Sequence, residues 1–192
     1  MWLLDQEARR VASRAGRAAS HDPLTGLLNR RGWQEGLDRE HARAVRAGIR
    51  STVVALDLDG FKRVNRDRGQ RGGDELLRDT ADRLRRTLRT EDLLARVGGD
   101  EFALLLVGAD VDQAIASTER LRASSPAGSA FSAGVAAVRE GEHPTATLAR
   151  AEQALYRAKS TGGGTSLPVQ PWQAGSQDAS EPTGDPVEAP TG

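Results

Sequence analysis

The stretch "LLARVGGDEFALLLV" (93–107) contains two short apolar runs, 93–97 and 102–107, with four residues between them. Runs of this length and composition predict two β-strands. The pair Gly98 and Gly99 between them is typical of a tight hairpin in which both glycines adopt positive φ angles. Because glycine has no Cβ atom, a ligand can also approach the main chain closely at this turn.

Helical and strand-like segments alternate on both sides of this hairpin. Helices are predicted over 30–48, 75–89, 111–123 and 145–160, and further strands over 51–59 and 129–138. Strands interleaved with helices, together with one hairpin, predict an α/β fold of the α+β sandwich type, in which helices pack against a mixed sheet.

The tetrapeptide Gly-Gly-Asp-Glu also occurs earlier in the chain, at 72–75. There it precedes a helical stripe of apolar residues, so it is predicted to open the helix 75–89. The glycines supply the turn, and Asp74 is placed to cap the first amide groups of that helix.

Acidic residues follow both the hairpin turn and a second strand. Asp100 and Glu101 are expected at the hairpin tip, on opposite faces of the strand that they begin. Asp57 and Asp59 lie on one face at the exit of the strand 51–59. A solvated turn explains two acidic residues at a tip, but if the strands adjoin, their carboxylates form an oxygen cluster suited to Mg²⁺ and substrate phosphates. A metal-assisted phosphoryl or nucleotidyl transferase is therefore one candidate class.

The composition excludes several other classes of protein. The chain has 192 residues, 27 basic and 27 acidic, and this balance does not favour a nucleic-acid partner. It has no cysteine, so it has no disulfide framework and no thiolate metal site. The apolar start at 1–4 is too short for a membrane span or a signal peptide. We therefore expect a soluble, cytoplasmic protein without a membrane segment.

Both termini differ from the central region. Apolar residues at spacings of three and four predict an N-terminal helix over 1–20, which is either a solvated helix or the stub of a dimerising coiled coil. The segment 168–192 is rich in proline and carries acidic but no basic residues, so it is predicted to be a disordered tail. The catalytic or binding domain is then expected over 21–167. The three histidines are expected at the surface, without a ligand role.

Several ordered motifs together identify the chain as a member of the GGDEF family of diguanylate cyclases. The motifs are "DPLTGLLNRRGW" (22–33), "VVALDLDGFKRVNRDRGQRGGDELL" (53–77), "EDLLARVGGDEFALLL" (91–106), "FSAGVA" (131–136) and "ALYRAKSTGG" (154–163). The resemblance implies a mainly antiparallel sheet in a nucleotide-cyclase or polymerase palm with a ferredoxin-like core. It also implies condensation of two GTP molecules into cyclic di-GMP.

The resemblance implies roles for the acidic residues at the hairpin. Asp57 and Asp100 correspond to the carboxylates that bind Mg²⁺, with Mn²⁺ as a possible substitute, and the main-chain carbonyl of Leu58 is a further metal ligand. Asp100 and Glu101 are the catalytic acids, and one of them helps to deprotonate the attacking 3′-hydroxyl. Asp59 is expected to have a structural or supporting role.

The same resemblance implies a GTP site. Asn65 and Asp74 correspond to the pair that recognises guanine, and the turn at Gly98 and Gly99 binds the nucleotide. Lys62 and Lys159 fall where the family contacts phosphates, and Lys62 also counts among the catalytic residues. They are the only lysines among the 27 basic residues of the chain, and the other 25 are arginines. Without the resemblance, a codon bias towards arginine that happens to leave two lysines would explain these residues equally well.

A second nucleotide site and a dimer are implied as well. Arg89 and Asp92 match the family's RxxD motif, at which cyclic di-GMP inhibits the enzyme, and Arg120 falls where a supporting arginine is found. The product needs two α-phosphates, each attacked by the 3′-hydroxyl of the other GTP, so a homodimer is the expected active species.

Three positions depart from the family pattern, namely Gln70, Glu152 and Gly163. Gly163 stands where an arginine often contacts phosphate, so the glycine run 162–164 either supplies backbone amides instead or is a flexible chain end. A catalytically weak module that senses cyclic di-GMP or GTP is therefore the main alternative. A palm-type polymerase or nuclease would need a basic groove, which the near-neutral charge does not favour.

Overall fold

The computed structural model describes residues 19–123 and 130–169 of the chain. Most of the predicted N-terminal helix, and the tail beyond residue 169, lie outside the described residues. The helices are α1 (Arg30–Ala47), α2 (Phe61–Thr87), α3 (Val111–Ala123) and α4 (Pro144–Ser160). The strands are β1 (Ser51–Leu58), β2 (Leu93–Arg96), β3 (Glu101–Val107), β4 (Phe131–Ala137) and β5 (Ser166–Pro168). Within the described ranges, no helix is both long and apolar enough to cross a membrane.

The five strands form one sheet in the order β2-β3-β1-β4-β5. β1 lies at its centre and pairs antiparallel with β3 on one side and with β4 on the other. β2 pairs antiparallel with β3, whereas β5 pairs parallel with β4. The prediction of a mixed, mainly antiparallel sheet flanked by helices is confirmed, and the chain order β1-α2-β2-β3-α3-β4 is that of a ferredoxin-like core.

Helices cover both faces of the sheet. Successive residues of a strand point to opposite faces, and nearly all residues of β1 are buried, so both faces of this central strand are covered. On one face, Val54 belongs to an apolar cluster with Leu77 of α2 and Leu121 of α3. On the other face, Val53 belongs to a second cluster with Trp33 of α1. This two-sided burial fixes β1 in place, so the residues at its exit have a defined position.

Helix α2 begins earlier than predicted. It starts at Phe61, directly after β1, and the main chain kinks at Gly69, where φ is 68° and ψ is 177°. The tetrapeptide 72–75 therefore lies inside the helix, after the kink. Because Gly69 is non-helical, α2 consists of two helical segments that meet at this residue, and the prediction that a helix begins near the tetrapeptide is close. The prediction that Asp74 caps it is wrong, because the second segment begins directly after Gly69 and Asp74 lies inside it.

The segment between residue 19 and α1 folds back against β2. Leu28 forms a bridge with Ala95, and its carbonyl accepts a hydrogen bond from the amide of Arg96 at 2.8 Å. Asn29 caps α1, since its side-chain oxygen accepts from the amide of Gly32 at 2.9 Å. The start of the domain is thus fixed to the strand that leads into the glycine turn.

The glycine run after α4 is not the end of the folded chain. Gly162, Gly163 and Gly164 all have positive φ angles, and they turn the chain into β5, an element that the sequence did not predict. The amide of Val169 then donates to the carbonyl of Val135 at 2.8 Å. Strand pairing therefore continues past the predicted boundary at residue 167.

Candidate active site

The acidic residues at the ends of β1 and β3 meet at one corner of the sheet. Asp57 is the direct partner of Glu101 across the β1–β3 pair. The amide of Leu58 donates to the carbonyl of Asp100 at 3.2 Å. The register of the two central strands therefore brings the predicted metal ligands and the predicted catalytic acids together.

The carboxyl group of Asp57 lies in an unfavourable environment for its charged form. Its side chain is only 14% exposed, and burial raises its pKa above the usual value. An ion pair with Lys159 opposes this shift, while the negative charges of Asp100 and Glu101 raise the pKa further. A bound cation would relieve the repulsion among these three carboxylates.

The donor atoms at this corner fit a magnesium ion that is shared with a substrate. Asp57 and Asp100 offer carboxylate oxygens. The main-chain carbonyl of Leu58, the residue after Asp57, offers a third oxygen. Among residues 19–123 and 130–169, no group of three or more His, Asp or Glu side chains is arranged to hold a metal by itself. Mg²⁺ normally binds one or two protein carboxylates and takes its remaining ligands from phosphates and water, so this sparse set suits it.

The turn between β2 and β3 differs from the predicted hairpin. Neither Gly98 nor Gly99 has a positive φ angle, so the prediction of a tight turn with left-handed glycines is wrong. The strands are joined by the four residues 97–100, and a connection of this length does not need that backbone conformation. Its closing bond runs from the amide of Val97 to the carbonyl of Glu101 at 2.9 Å.

The two glycines of the turn have different surroundings. A Cβ atom on Gly98 would lie 2.1 Å from a carboxylate oxygen of Glu101, so glycine here leaves room for that side chain. A Cβ atom on Gly99 would meet nothing within 4 Å. The main chain at Gly99 thus faces open space, as the approach of a ligand requires.

Arg96, for which the sequence analysis predicted no role, holds this turn in place. Its Nε and one terminal nitrogen donate to the carbonyl of Gly99 at 3.0 and 2.7 Å. Its other terminal nitrogen lies 3.1 Å from both carboxylate oxygens of Asp22. The signal that could have revealed it is a charged residue in the otherwise apolar strand "LLARV" (93–97), just before the glycine turn.

Asp59 connects two chain segments, the start of β4 and the loop after α4. Its carboxylate accepts from the hydroxyl of Ser132 at 2.8 Å and from the amide of Gly164 at 2.9 Å. Its own amide donates to the carbonyl of Ala130 at 2.8 Å. These bonds fit the structural role expected for Asp59, and they connect the β1–α2 turn to the loop after α4.

The residues predicted to recognise guanine lie on α2. Asn65 and Asp74 are on either side of the kink at Gly69, and both are half-buried. A Cβ atom on Gly73 would lie 1.9 Å from the side-chain oxygen of Asn65, so glycine at this position makes room for the amide. Lys62 lies in the first turn of the same helix, where it is exposed.

The residues predicted for inhibition line a separate cavity of about 290 Å³. Arg89, Asp92 and Arg120 all contribute to its wall, together with parts of β3 and α3. The carboxylate of Asp92 accepts from the amides of Arg89 at 2.9 Å and Val107 at 3.0 Å. Asp92 therefore shapes the backbone of this cavity, while the two arginines supply positive charge.

The chain matches known proteins over most of its described length. Residues 19–165 match the family described as "Diguanylate cyclase, GGDEF domain". Diguanylate cyclase DgcP of Pseudomonas aeruginosa is 42% identical over 151 residues, which are 73% of this chain and 22% of DgcP. Response regulator PleD of Caulobacter vibrioides is 37% identical over 155 residues, 73% of this chain and 34% of PleD.

A solved structure of the coiled coil and GGDEF domain of DgcB from Caulobacter crescentus, in complex with c-di-GMP, has the same fold. It superposes with a TM-score of 0.80 at 26% identity, covering 86% of this chain and 94% of that one. The chain spans about a fifth to a third of the length of the two curated relatives. The family model, the curated relatives and the solved structure all indicate the same family, and the chain therefore belongs to the GGDEF-domain family of diguanylate cyclases.

Proposed function

We propose that the chain is a diguanylate cyclase that condenses two GTP molecules into cyclic di-GMP and releases two pyrophosphates. The observation that carries this proposal is the pairing of Asp57 with Glu101, beside Asp100 and the open main chain at Gly99. The Asp57 carboxylate is largely shielded from water and is repelled by the half-buried Asp100 and the exposed Glu101, so this corner is suited to a cation and a polyphosphate.

Asp57, Asp100 and the carbonyl of Leu58 would hold the divalent metal. When bound, Mg²⁺ supplies positive charge that stabilises the attacked α-phosphate and the departing pyrophosphate. Mn²⁺ has similar ligand preferences and would be accepted at the same donors.

Proton transfer from the 3′-hydroxyl is assigned to the acidic pair at the start of β3. Asp100 and Glu101 are adjacent in the chain, and Glu101 faces Asp57 across the strand pair. A carboxylate within hydrogen-bond reach of the hydroxyl can accept its proton as the new P–O bond forms. Either residue is placed for this task, and Gly98 leaves the carboxylate of Glu101 room at the turn.

Lysine and amide side chains would orient the substrate. Lys159 is partly exposed and pairs with Asp57, so it can turn to a phosphate once a cation compensates that carboxylate. Lys62 lies exposed at the beginning of α2, which directly follows β1. Asn65 and Asp74 would hydrogen-bond the edge of guanine, with the carboxylate accepting from its N–H groups.

The reaction requires a homodimer because one domain presents one GTP. Two domains related by a two-fold axis would place each 3′-hydroxyl opposite the α-phosphate of the other nucleotide. We propose that the helix predicted over 1–20 contributes to this pairing. The structure of DgcB in the comparison contains a coiled coil next to its GGDEF domain, which supports such an arrangement.

The cavity at Arg89, Asp92 and Arg120 would bind cyclic di-GMP and inhibit the enzyme. Its two arginines can pair with phosphate or stack on guanine, and it lies apart from the metal corner. A second candidate function, a sensor of cyclic di-GMP or GTP with little turnover, is favoured by one contact. The family often has a phosphate-binding arginine where this chain has Gly163. The amide of Gly164 donates to Asp59, so it is not available to bind phosphate in place of that arginine.

The test is to incubate the purified chain with GTP and MgCl₂ and to measure cyclic di-GMP by chromatography and mass spectrometry. A cyclase gives product with a specific activity that increases with protein concentration, because catalysis needs a dimer. MnCl₂ should support the reaction, and ATP should not replace GTP. Tight binding of cyclic di-GMP without any product at high protein concentration would instead establish the sensor.

A further inference from the structure

A second cavity of about 310 Å³ lies at the end of the sheet opposite to the metal corner. It is lined by Ser51 at the start of β1, by Leu105 of β3, by the residues that follow β4 and by the C-terminal half of α1. β1 has eight residues between Ser51 and Leu58, so the two sites are about 25 Å apart along the strand. Neither the proposed GTP site nor the proposed inhibitory site uses this cavity.

Two buried polar atoms in the wall have no hydrogen-bond partner among the described residues. They are the hydroxyl oxygen of Ser51, a residue only 5% exposed, and Nδ1 of His41. His41, expected at the surface, is half-exposed, but its Nδ1 atom is buried. Buried polar groups are normally paired in native proteins, and these two lie behind the apolar wall, with practically no surface of their own in the cavity.

The remainder of the wall is mostly apolar. Leu37, Ala44 and Val138 line the cavity, and Val45 and Ile49 leave 58% and 40% of their surfaces exposed beside them. An apolar wall with a few polar atoms is typical of sites for small organic molecules, and the volume is at the lower end of their range. The cavity is thus too apolar for a polyphosphate.

Positive charge lies at the mouth of the cavity. Arg50 and Arg139 both contribute to its lining and are exposed, whereas Glu140 is its only acidic residue. Within the ranges that the structure describes, neither guanidinium takes part in an ion pair. The mouth is therefore suited to an anionic group of one charge.

We propose that this cavity binds a small organic monocarboxylic acid with an aromatic or short aliphatic body. The body would fill the space between Leu37, Ala44 and Val138, and the carboxylate would lie at Arg50 and Arg139.

The experiment uses ¹⁵N-labelled chain and three probes, namely 4-phenylbutyrate, indole-3-acetate and octanoate. At least one acid should shift the amide signals of residues 41–51 and 138–140 saturably, without shifting those of 57–62 and 98–101. Its saturation should also raise the thermal midpoint by several degrees. The absence of saturable shifts in these segments with all three acids at millimolar concentration would overturn the proposal.

Two variants test the chemistry of the site. Ala44→Phe fills the cavity and should abolish binding, with its fold checked by the remaining amide spectrum. Arg139→Gln should weaken the acid roughly threefold to tenfold, while the neutral 4-phenylbutyramide should bind equally to this variant and to the unaltered chain. Arg78→Gln, an exposed substitution on α2, is the matched control. Equal losses for acid and amide in Arg139→Gln would contradict recognition of the carboxylate.

Discussion

Arg96 binds Asp22 through one terminal nitrogen, 3.1 Å from each carboxylate oxygen, while its other two nitrogens hold the carbonyl of Gly99. The pair is largely buried, at 14% and 16% exposure. Asp22 also accepts from the amide and the hydroxyl of Thr25. One arginine thus joins the start of the domain to the turn that carries Asp100.

Replacing Arg96 by methionine should lower kcat much more than it changes KM for GTP, because the turn loses its orientation while the nucleotide contacts remain. We expect a loss of about 10²-fold in kcat and of about 2–4 kcal/mol in the free energy of unfolding. Steady-state kinetics and urea unfolding measure both, with Arg78→Met as control. A rise in KM alone would contradict a positioning role.

Lys159→Met should move the acidic limb of the pH–activity profile to higher pH. Burial and the neighbouring carboxylates raise the pKa of Asp57, and Lys159 is the group that opposes this shift. Without the lysine the pKa rises further, so Asp57 becomes ionised, and able to hold a cation, only at higher pH. The measurement is kcat/KM against pH at saturating Mg²⁺, with Arg46→Met as control. An unchanged acidic limb would show that another group controls it.

Gly98→Ala and Gly99→Ala should differ in their effects. A methyl group at 98 meets the carboxylate of Glu101, so Gly98→Ala should lower kcat by displacing that side chain. A methyl group at 99 meets no protein atom, so Gly99→Ala should keep the stability within about 0.5 kcal/mol and raise KM. Thermal unfolding and kinetics on both variants check this. Equal kcat losses with unchanged KM would mean that no ligand approaches Gly99.

Arg89→Ala should relieve inhibition by cyclic di-GMP and leave uninhibited turnover unchanged, with Arg86→Ala as the control. Asp92→Ala should relieve inhibition as well, but it should also cost about 1 kcal/mol of stability, because the partly buried amide of Val107 and the exposed amide of Arg89 lose their acceptor. Initial rates with added product and thermal unfolding separate the two effects. Persistent inhibition in Arg89→Ala would show that this cavity is not the inhibitory site.

Asp100→Ala should abolish turnover while the fold becomes no less stable. Removing this charge lowers the pKa of Asp57 and the repulsion at the corner, so unfolding should become harder by up to about 1 kcal/mol. Product analysis and unfolding at neutral pH test this, with Asp79→Ala as control. Retained activity would place the metal elsewhere.

The strands and most helices were predictable because their apolar spacing directly reflects burial. Asp57 and Glu101 could be placed at strand ends for the same reason. Whether β1 and β3 are neighbours could not be predicted from the sequence, because strand order depends on contacts between distant segments.

The errors came from glycines, whose role depends on tertiary neighbours. Gly69 kinks a helix that was expected to begin after it, and Gly98 makes room for Glu101 rather than adopting a positive φ angle. The loop 162–164 resembled a flexible chain end because the bond from Asp59 to Gly164 spans 105 positions of the sequence. No local pattern contains these contacts.

Pro168 lies in β5, the strand at one edge of the sheet, and affects whether another strand can pair with that edge. In β5 the carbonyl of Thr165 and the amide of Val169 point to β4, so by alternation Pro168 presents its backbone nitrogen outwards. That nitrogen carries no hydrogen, and the strand is only three residues long. A foreign strand finds no amide donor at that position, so the β5 edge of the sheet resists the addition of a strand from another molecule.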